Sequence, residues 1–570
     1  MGGALGFTTI PACYSGGASP EGAADAGETD AGPDADADDG SGSGDDADDG
    51  DDDLPAEVGA SDLRRLSGAE YVNTIRALFG DAVTDEVAGP LSLLPGDRVV
   101  DGYATMARGV TAPHVDTYFL VASGIAEVVA SDVDARSRID PCLADEDAGD
   151  ACVDGAIADF GRRAFRRTLS SDEQAMLRAT WDDSRADGFS AAVQDLVIAV
   201  LMSPQFVYLV EVGELDEATG IARLSGVELA SRLSYLAWGS PPDAELLDAA
   251  EAGELATQVQ IETQVARLFA DERARQWLPT FFTEFLDLDL IPPPPGDADF
   301  LDGLPSDGLS DAMRDEVDAF IHSIVFEGGG WPELMMSRDA VVDSPALAQI
   351  YGVEASAEVV ELPPTRAGLL TRAGMLTGSG VSTAPILRGA RVLERVLCQP
   401  LVLPDPEDLP PGAEVEEPPL DPNATARERW TALTSEPACA ACHSTINPFG
   451  FALEGLDSVG RLRTSEPVLD EDGAEVNSLP IDDVVDVTLD GEVVTVAGAV
   501  GLSEALAGSV SAAECFAEQW FRFSHGRVQT LEDADDLAAT RSAAAEGVSL
   551  LDVMQQLAAR PEYRAIRYAP

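Results

Sequence analysis

Three stretches of this chain open with related phrases, and together they commit much of it to helix. Arg65-Leu66-Ser67-Gly68-Ala69-Glu70, Thr168-Leu169-Ser170-Ser171-Asp172-Glu173 and Arg223-Leu224-Ser225-Gly226-Val227-Glu228 each place a serine three residues ahead of a glutamate. That spacing is a capping box, in which the two side chains satisfy amides left free at a helix start, and the leucine before each serine can act as a staple. After the first box Tyr71, Ile75, Leu78 and Phe79 fall on one helical stripe, and after the third Leu229, Leu233, Leu236 and Ala237 do the same. These serines read as helix openings rather than nucleophiles, since no GxSxG, Walker loop or HExxH accompanies them.

The expected fold class is mainly α: several helical modules in one multidomain body. A chain of 570 residues exceeds a single ordinary core. Composition shifts set module boundaries at 61–131, 150–212, 222–353, 366–465 and 497–565, following a segment 1–60 of different character. Pro292 to Pro295 predicts an extended surface segment, and Pro400 to Pro422, with eight prolines, an extended strap. Helical patterns recur at Ile386 to Leu397, Ala512 to Ser524 and Ala534 to Leu557. Near 482–496, valines alternate with polar residues around Asp490-Gly491, which predicts a small β-hairpin.

Charge narrows the classes of function. The chain carries 103 acidic residues against 35 basic ones, a net charge of -68, and every base is arginine because lysine is absent. Residues 21–53 hold 15 acids and no base, yet the remainder still carries -53. Such a surface repels nucleic acid and anionic lipid headgroups, so no nucleic-acid partner is expected.

The N-terminal segment reads as processing signal and tether. Ile10-Pro11-Ala12-Cys13 resembles a bacterial lipobox, whose cysteine is lipidated after cleavage, although Gly2 to Thr9 is short and lacks a positive n-region. From Tyr14 to about Ala60 the chain is Gly, Ala, Ser and Asp, which cannot repay its ordering entropy and predicts a disordered stalk. The only membrane contact expected is a lipid on Cys13. No run of eighteen apolar residues exists, and the best, Val197 to Met202, ends at Ser203-Pro204. An exported location follows: outer membrane or cell surface as a lipoprotein, or periplasm. Export agrees with the cysteines. Cys142 and Cys152 are spaced for a local disulfide, while Cys398 and Cys515 read either as a long-range bridge or as two buried thiols.

The chemistry concentrates in Cys439-Ala440-Ala441-Cys442-His443. Two thiols three apart and then an imidazole form the attachment pattern of haem c. On a helical turn both sulfurs share a face and can bond the porphyrin vinyl groups, while His443 coordinates the iron. The rivals are a CxxC disulfide and half of a zinc site, but no second CxxC or HxxxH completes a four-ligand zinc shell. A thioredoxin-like dithiol needs a long following helix, and Asn447-Pro448-Phe449-Gly450 is expected to break the chain there. The carbonyls of that turn are the expected acceptors for the second ring nitrogen of His443. For the sixth iron ligand Met375 leads, with His525 and Met554 behind it.

Beyond the motif, Ala438 to Glu454 with Asp457, Gly460 and Arg461 resembles the signature of a family of large exported bacterial proteins built from domains of unknown function 1587, 1595, 1592, 1588 and 1585. The resemblance runs in that order through Leu63 to Gly80, Phe160 to Val210 with Phe165-Arg166-Arg167, Arg223 to Gly352, Arg366-Ala367-Gly368-Leu369-Leu370 with Arg388-Gly389, and Cys515-Phe516 with Trp520-Phe521-Arg522-Phe523 and Gly526-Arg527. It covers about residues 62–565 and implies a covalent haem c, electron transfer and an unidentified redox partner, without a defined substrate. His525 departs from the family pattern at an expected apolar position. Three readings remain: an electron-transfer component, a haem-dependent oxidising enzyme on an extracellular substrate, or a lipid-tethered binding scaffold with a structural CxxC.

Overall fold

All three capping boxes form. Ser67, Ser170 and Ser225 accept from the backbone of Glu70, Glu173 and Glu228 at the starts of helices Gly68–Phe79, Ser171–Arg185 and Gly226–Trp238. Such a cap contributes about 0.5–2 kcal/mol. The glutamates do more than cap. Glu70 and Glu173 each take a guanidinium fork, from Arg64 and Arg167, and Glu228 accepts from the amides of Val212 and Gly213. Each helix start is thereby tied to the segment that leads into it.

The computed structural model describes residues 55, 57–97, 102–378, 380–401, 418, 421–469 and 475–568. The expected stalk, Cys13 and most of the strap between Pro400 and Pro422 lie outside the described residues. The described part is mainly helical, with a few small sheets.

Its apolar residues collect into two large cores. One spans Leu66 to Leu209 and takes in Tyr235, so the first two expected modules share a single interior. The other joins Tyr103 and Met106 to residues from Ala222 through Ile566. A four-stranded sheet closes the body. Ala60–Ser61 lies parallel to Ala565–Tyr568, which pairs antiparallel with Ile221–Arg223, itself paired with Glu214–Asp216. No helix among the described residues is long and apolar enough to cross a membrane.

The expected hairpin is present as Val484–Leu489 and Glu492–Ala497. Asp490 and Gly491 both adopt positive φ, 52° and 82°, the turn whose twist suits a two-residue connection. Val485, Val487 and Leu489 face inward, giving the period of two. Three further pairs were not anticipated: Ser465–Leu469 with Glu475–Pro480, Asp339–Val342 with Ser356–Glu361, and Arg64–Arg65 with Tyr208–Leu209. The helix Pro345–Tyr351 intervenes in the second, so no hairpin signal marks it.

Both disulfides form. Cys142 pairs with Cys152 and Cys398 with Cys515, at Cα separations of 6.0 and 5.4 Å, which resolves the choice left open for the second pair. Two helical expectations are corrected. Ala534 to Leu557 divides into Ala534–Ala545 and Leu550–Ala559 at Gly547, whose φ of 77° ends the first helix. The expected break at Asn447-Pro448 is absent, because helix Pro437–Phe451 runs through Pro448. Pro448 stands in the last turn, where a missing N–H removes only one ladder bond.

Candidate functional site

Helix Pro437–Phe451 starts with proline at its first position, where the absent N–H costs nothing, and carries Cys439, Cys442 and His443. Steps of three and four place these three on one side. Cys442 is exposed, Cys439 and His443 are half-buried, while Ile446, Asn447, Phe449 and Gly450 on the following turns are buried. The motif thus points outward from a helix anchored by its later turns.

That anchoring is unusually close. Helix Pro385–Arg391 crosses the motif helix at two glycines: a methyl group on Gly389 would stand 2.3 Å from the carbonyl oxygen of Ile446, and one on Gly450 only 1.8 Å from that of Pro385. Only hydrogen fits at either point. Beside the crossing, buried Arg388 donates to the carbonyls of Leu376, Leu453, Leu456 and Asp457 at 2.7–3.3 Å. Burial lowers its pKa to about 10, since four carbonyls replace water and Glu454 stands off at 4.0 Å. Glu454 instead accepts from Thr383 and Arg463 at 2.8 and 3.1 Å. Asp457 holds its own turn, accepting from the amides of Val459 and Arg461 and from the Arg461 guanidinium.

A side-chain relay orients the imidazole. His443 Nδ1 lies 3.1 Å from Asn447 Oδ1, Asn447 Nδ2 donates to Thr434 Oγ1 at 2.9 Å, and Thr434 Oγ1 donates to the Trp430 carbonyl at 2.7 Å. With the amide nitrogen engaged by Thr434, Asn447 presents its oxygen to the histidine, so Nδ1 carries the hydrogen and Nε2 is left as the basic nitrogen. This corrects the acceptor expected from sequence: the Asn447 side chain takes the role, not the carbonyls of the Asn447-Pro448 turn. Sequence held the signal, an asparagine four residues after the histidine on the same face, but Thr434 comes from a separate helix end and carried none.

The thiols of Cys439 and Cys442 are unbonded, whereas the other four described cysteines are paired. Among the described residues no three His, Cys, Asp or Glu side chains converge as they would around a metal ion. Met375 is buried in the same large core as Ile446 and Phe449, and no described contact joins it to His443. Met554 is fully buried, its carbonyl accepting from the Trp520 indole. His525 stacks on Phe521 at 3.9 Å with Tyr563 edge-on, and burial holds its pKa well below the usual value. It lines a cavity to which no motif residue contributes.

The described body is thus mainly helical, and one of its helices displays two unbonded thiols and an oriented imidazole, clamped from beneath by glycine contacts and an arginine. Five models of proteins of unknown function match the chain in series: DUF1587 at 64–131, DUF1595 at 152–211, DUF1592 at 224–353, DUF1588 at 366–466 and DUF1585 at 492–562. Together they cover more than half of the chain, which belongs to the DUF1592 family, and the motif helix falls inside the DUF1588 stretch. No curated protein and no solved structure matches it.

Proposed function

We propose that Cys439, Cys442 and His443 form the attachment site of one covalent haem c, and that the chain is an exported electron-transfer protein. The carrying observation is the relay from His443 through Asn447 to Thr434, which leaves Nε2 free as a ligand while a buried amide fixes the ring. Residues and group fit. Cys439 and Cys442 are unbonded thiols on the side that His443 shares, so both can form thioethers, and His443 Nε2 can serve as the proximal ligand. Bound there, haem supplies one-electron chemistry.

This chain's residues do the rest. Asn447 holds the hydrogen on Nδ1 and raises the basicity of Nε2. Gly389, Gly450 and Arg388 fix the helix against the body, so the three side chains keep their relative positions. An exposed Cys442 would leave the attachment edge open to a redox partner protein, which supports carrier over enzyme. Met375, in the core shared with Ile446 and Phe449, is the methionine to test as a second ligand to the iron.

Two disulfides in the body support an oxidising compartment, in line with export to the periplasm or cell surface. Lipid anchoring through Cys13 belongs to the same proposal. The alternative, a tethered non-redox scaffold with a structural CxxC, calls for a Cys439–Cys442 bond and has less support, because those thiols are unbonded. The test is a pyridine haemochrome spectrum of the full chain, produced where a control cytochrome c matures. The expected result is a haem c spectrum that disappears in Cys439→Ala/Cys442→Ala; a haem-free chain beside a matured control would contradict it.

A further inference from the structure

One buried pair outside the motif helix plays no part in the haem reading. His525 ends helix Val510–His525, and Asp536 stands in the first turn of helix Ala534–Ala545. His525 Nε2 lies 3.9 Å from Asp536 Oδ2, and both side chains are more than nine-tenths buried. The far side of the imidazole settles which nitrogen carries hydrogen. Nδ1 lies 3.2 Å from the Phe521 carbonyl and 3.1 Å from Ser524 Oγ, and that hydroxyl donates its own hydrogen to the same carbonyl. A carbonyl only accepts, so Nδ1 bears the hydrogen and Nε2 presents a lone pair. Across the gap, Asp536 Oδ1 accepts from Arg560, whereas Oδ2 has no hydrogen-bond partner. Without a proton between them, two acceptors would face each other away from water, an arrangement that buried polar groups avoid.

We infer that this pair holds a single proton, carried on Asp536 Oδ2 and directed at His525 Nε2, and that it latches the two helices together in a pH-dependent way. The surrounding groups assign the proton to the carboxyl. His525 faces Arg527, Arg232 and Asp533, with the Tyr563 ring edge-on, and the cavity beside it adds Arg64, Arg108, Asp62, Glu70 and Glu211. Burial, then Arg527 and Arg232, hold the imidazole well below its usual pKa. Asp536 faces Arg560, Glu562 and Asp533; burial and then Glu562 push its carboxyl up to about 7 from 3.8, against the pull of Arg560.

Below about pH 7 the proton satisfies both atoms. Above it, a carboxylate oxygen meets a lone pair, so the closed arrangement weakens as pH rises through that value. The neutral imidazole works in the opposite sense only below its ordinary range, where the open form gains a proton that the closed form refuses. The latch also reaches the other end of the chain. Asp533, one turn before Asp536, accepts from the Gly59 amide and from the Arg527 fork. Releasing Asp536 therefore loosens the seat of strand Ala60–Ser61, which pairs with Ala565–Tyr568.

The test is nuclear magnetic resonance of the full chain labelled with nitrogen-15 at its four histidines, with His525→Phe identifying the signal. From about pH 5 to pH 9, the expected His525 is neutral with hydrogen on Nδ1, and its Nε2 resonance moves with a midpoint near 7. Asp536→Asn should abolish that movement. Amide exchange of Ala534–Ala545, corrected for its intrinsic pH dependence, should rise roughly three- to tenfold from pH 6 to pH 8 in wild type and not in Asp536→Asn. If Asp536→Asn fails to fold, as judged by circular dichroism, the wild-type tautomer, midpoint and exchange profile decide the matter. An imidazolium signal at pH 6, hydrogen on Nε2, a resonance shift unaltered in Asp536→Asn, or exchange that stays flat across pH 7 would each overturn the assignment.

Discussion

Asn447 and His443 sit one helical turn apart, with Oδ1 of the first 3.1 Å from Nδ1 of the second, and Thr434 fixes which end of the amide faces the ring. A buried hydrogen-bond chain of this kind sets both the tautomer and the electron density of the imidazole. Asn447→Ala should leave haem attachment intact and raise the reduction potential, because a less basic ligand stabilises ferric iron less. Removing a buried amide with two partners should also cost about 1–3 kcal/mol of stability. Potentiometric titration of variant and wild type checks the first effect, and an unchanged potential would remove Asn447 from the account.

Gly389 and Gly450 should tolerate no side chain. Each would drive a methyl group into a backbone oxygen of the facing helix, at 2.3 and 1.8 Å. Overpacking costs about 1–3 kcal/mol where neighbours can shift, and backbone shifts least readily. Gly450→Ala should therefore destabilise more than Gly389→Ala in urea unfolding, and the reverse order would argue against a close helix crossing.

The two disulfides should differ in worth. Cys398–Cys515 closes a separation of 117 residues and Cys142–Cys152 one of 10. The chain-entropy model assigns about 5 and about 3 kcal/mol respectively. Paired Cys→Ala variants, compared by chemical denaturation, should show the larger loss at 398 and 515.

Glu284 gives a pH signature. Burial pushes its carboxyl up to about 7 from 4.5, while its side chain accepts from the Ala104 amide. Between those values the folded chain keeps a proton that the unfolded chain releases, so the contribution of Glu284 to stability falls as pH rises through that window. At one pKa unit per 1.36 kcal/mol, the full effect is about 3 kcal/mol. Glu284→Gln keeps an acceptor for Ala104 without the charge. Relative to wild type, it should be near neutral at pH 4 and stabilising by up to about 3 kcal/mol above pH 7. Parallel stability curves for the two proteins would contradict the assignment.

Local grammar was legible in the sequence. Ser67, Ser170 and Ser225 announced their helices, and Asp490-Gly491 its turn. What sequence could not carry is long-range backbone geometry. The fit of Gly389 against Ile446 and Gly450 against Pro385 depends on a crossing that no periodicity encodes. Arg388 reaches four carbonyls that are local to other segments. The expected helix break failed for a similar reason: Pro448 terminates a helix in isolation, but one lost bond in a final turn is outweighed by packing of Ile446, Phe449 and Gly450.

The most direct measurement is the intact mass of the full chain from a host that matures haem c, followed by mapping of the peptide that carries Cys439 and Cys442. The account predicts the added mass of one haem, held through both cysteines and lost in Cys439→Ala/Cys442→Ala. An unmodified chain with two free thiols, or one lighter by the two hydrogens of a Cys439–Cys442 bond, would contradict it.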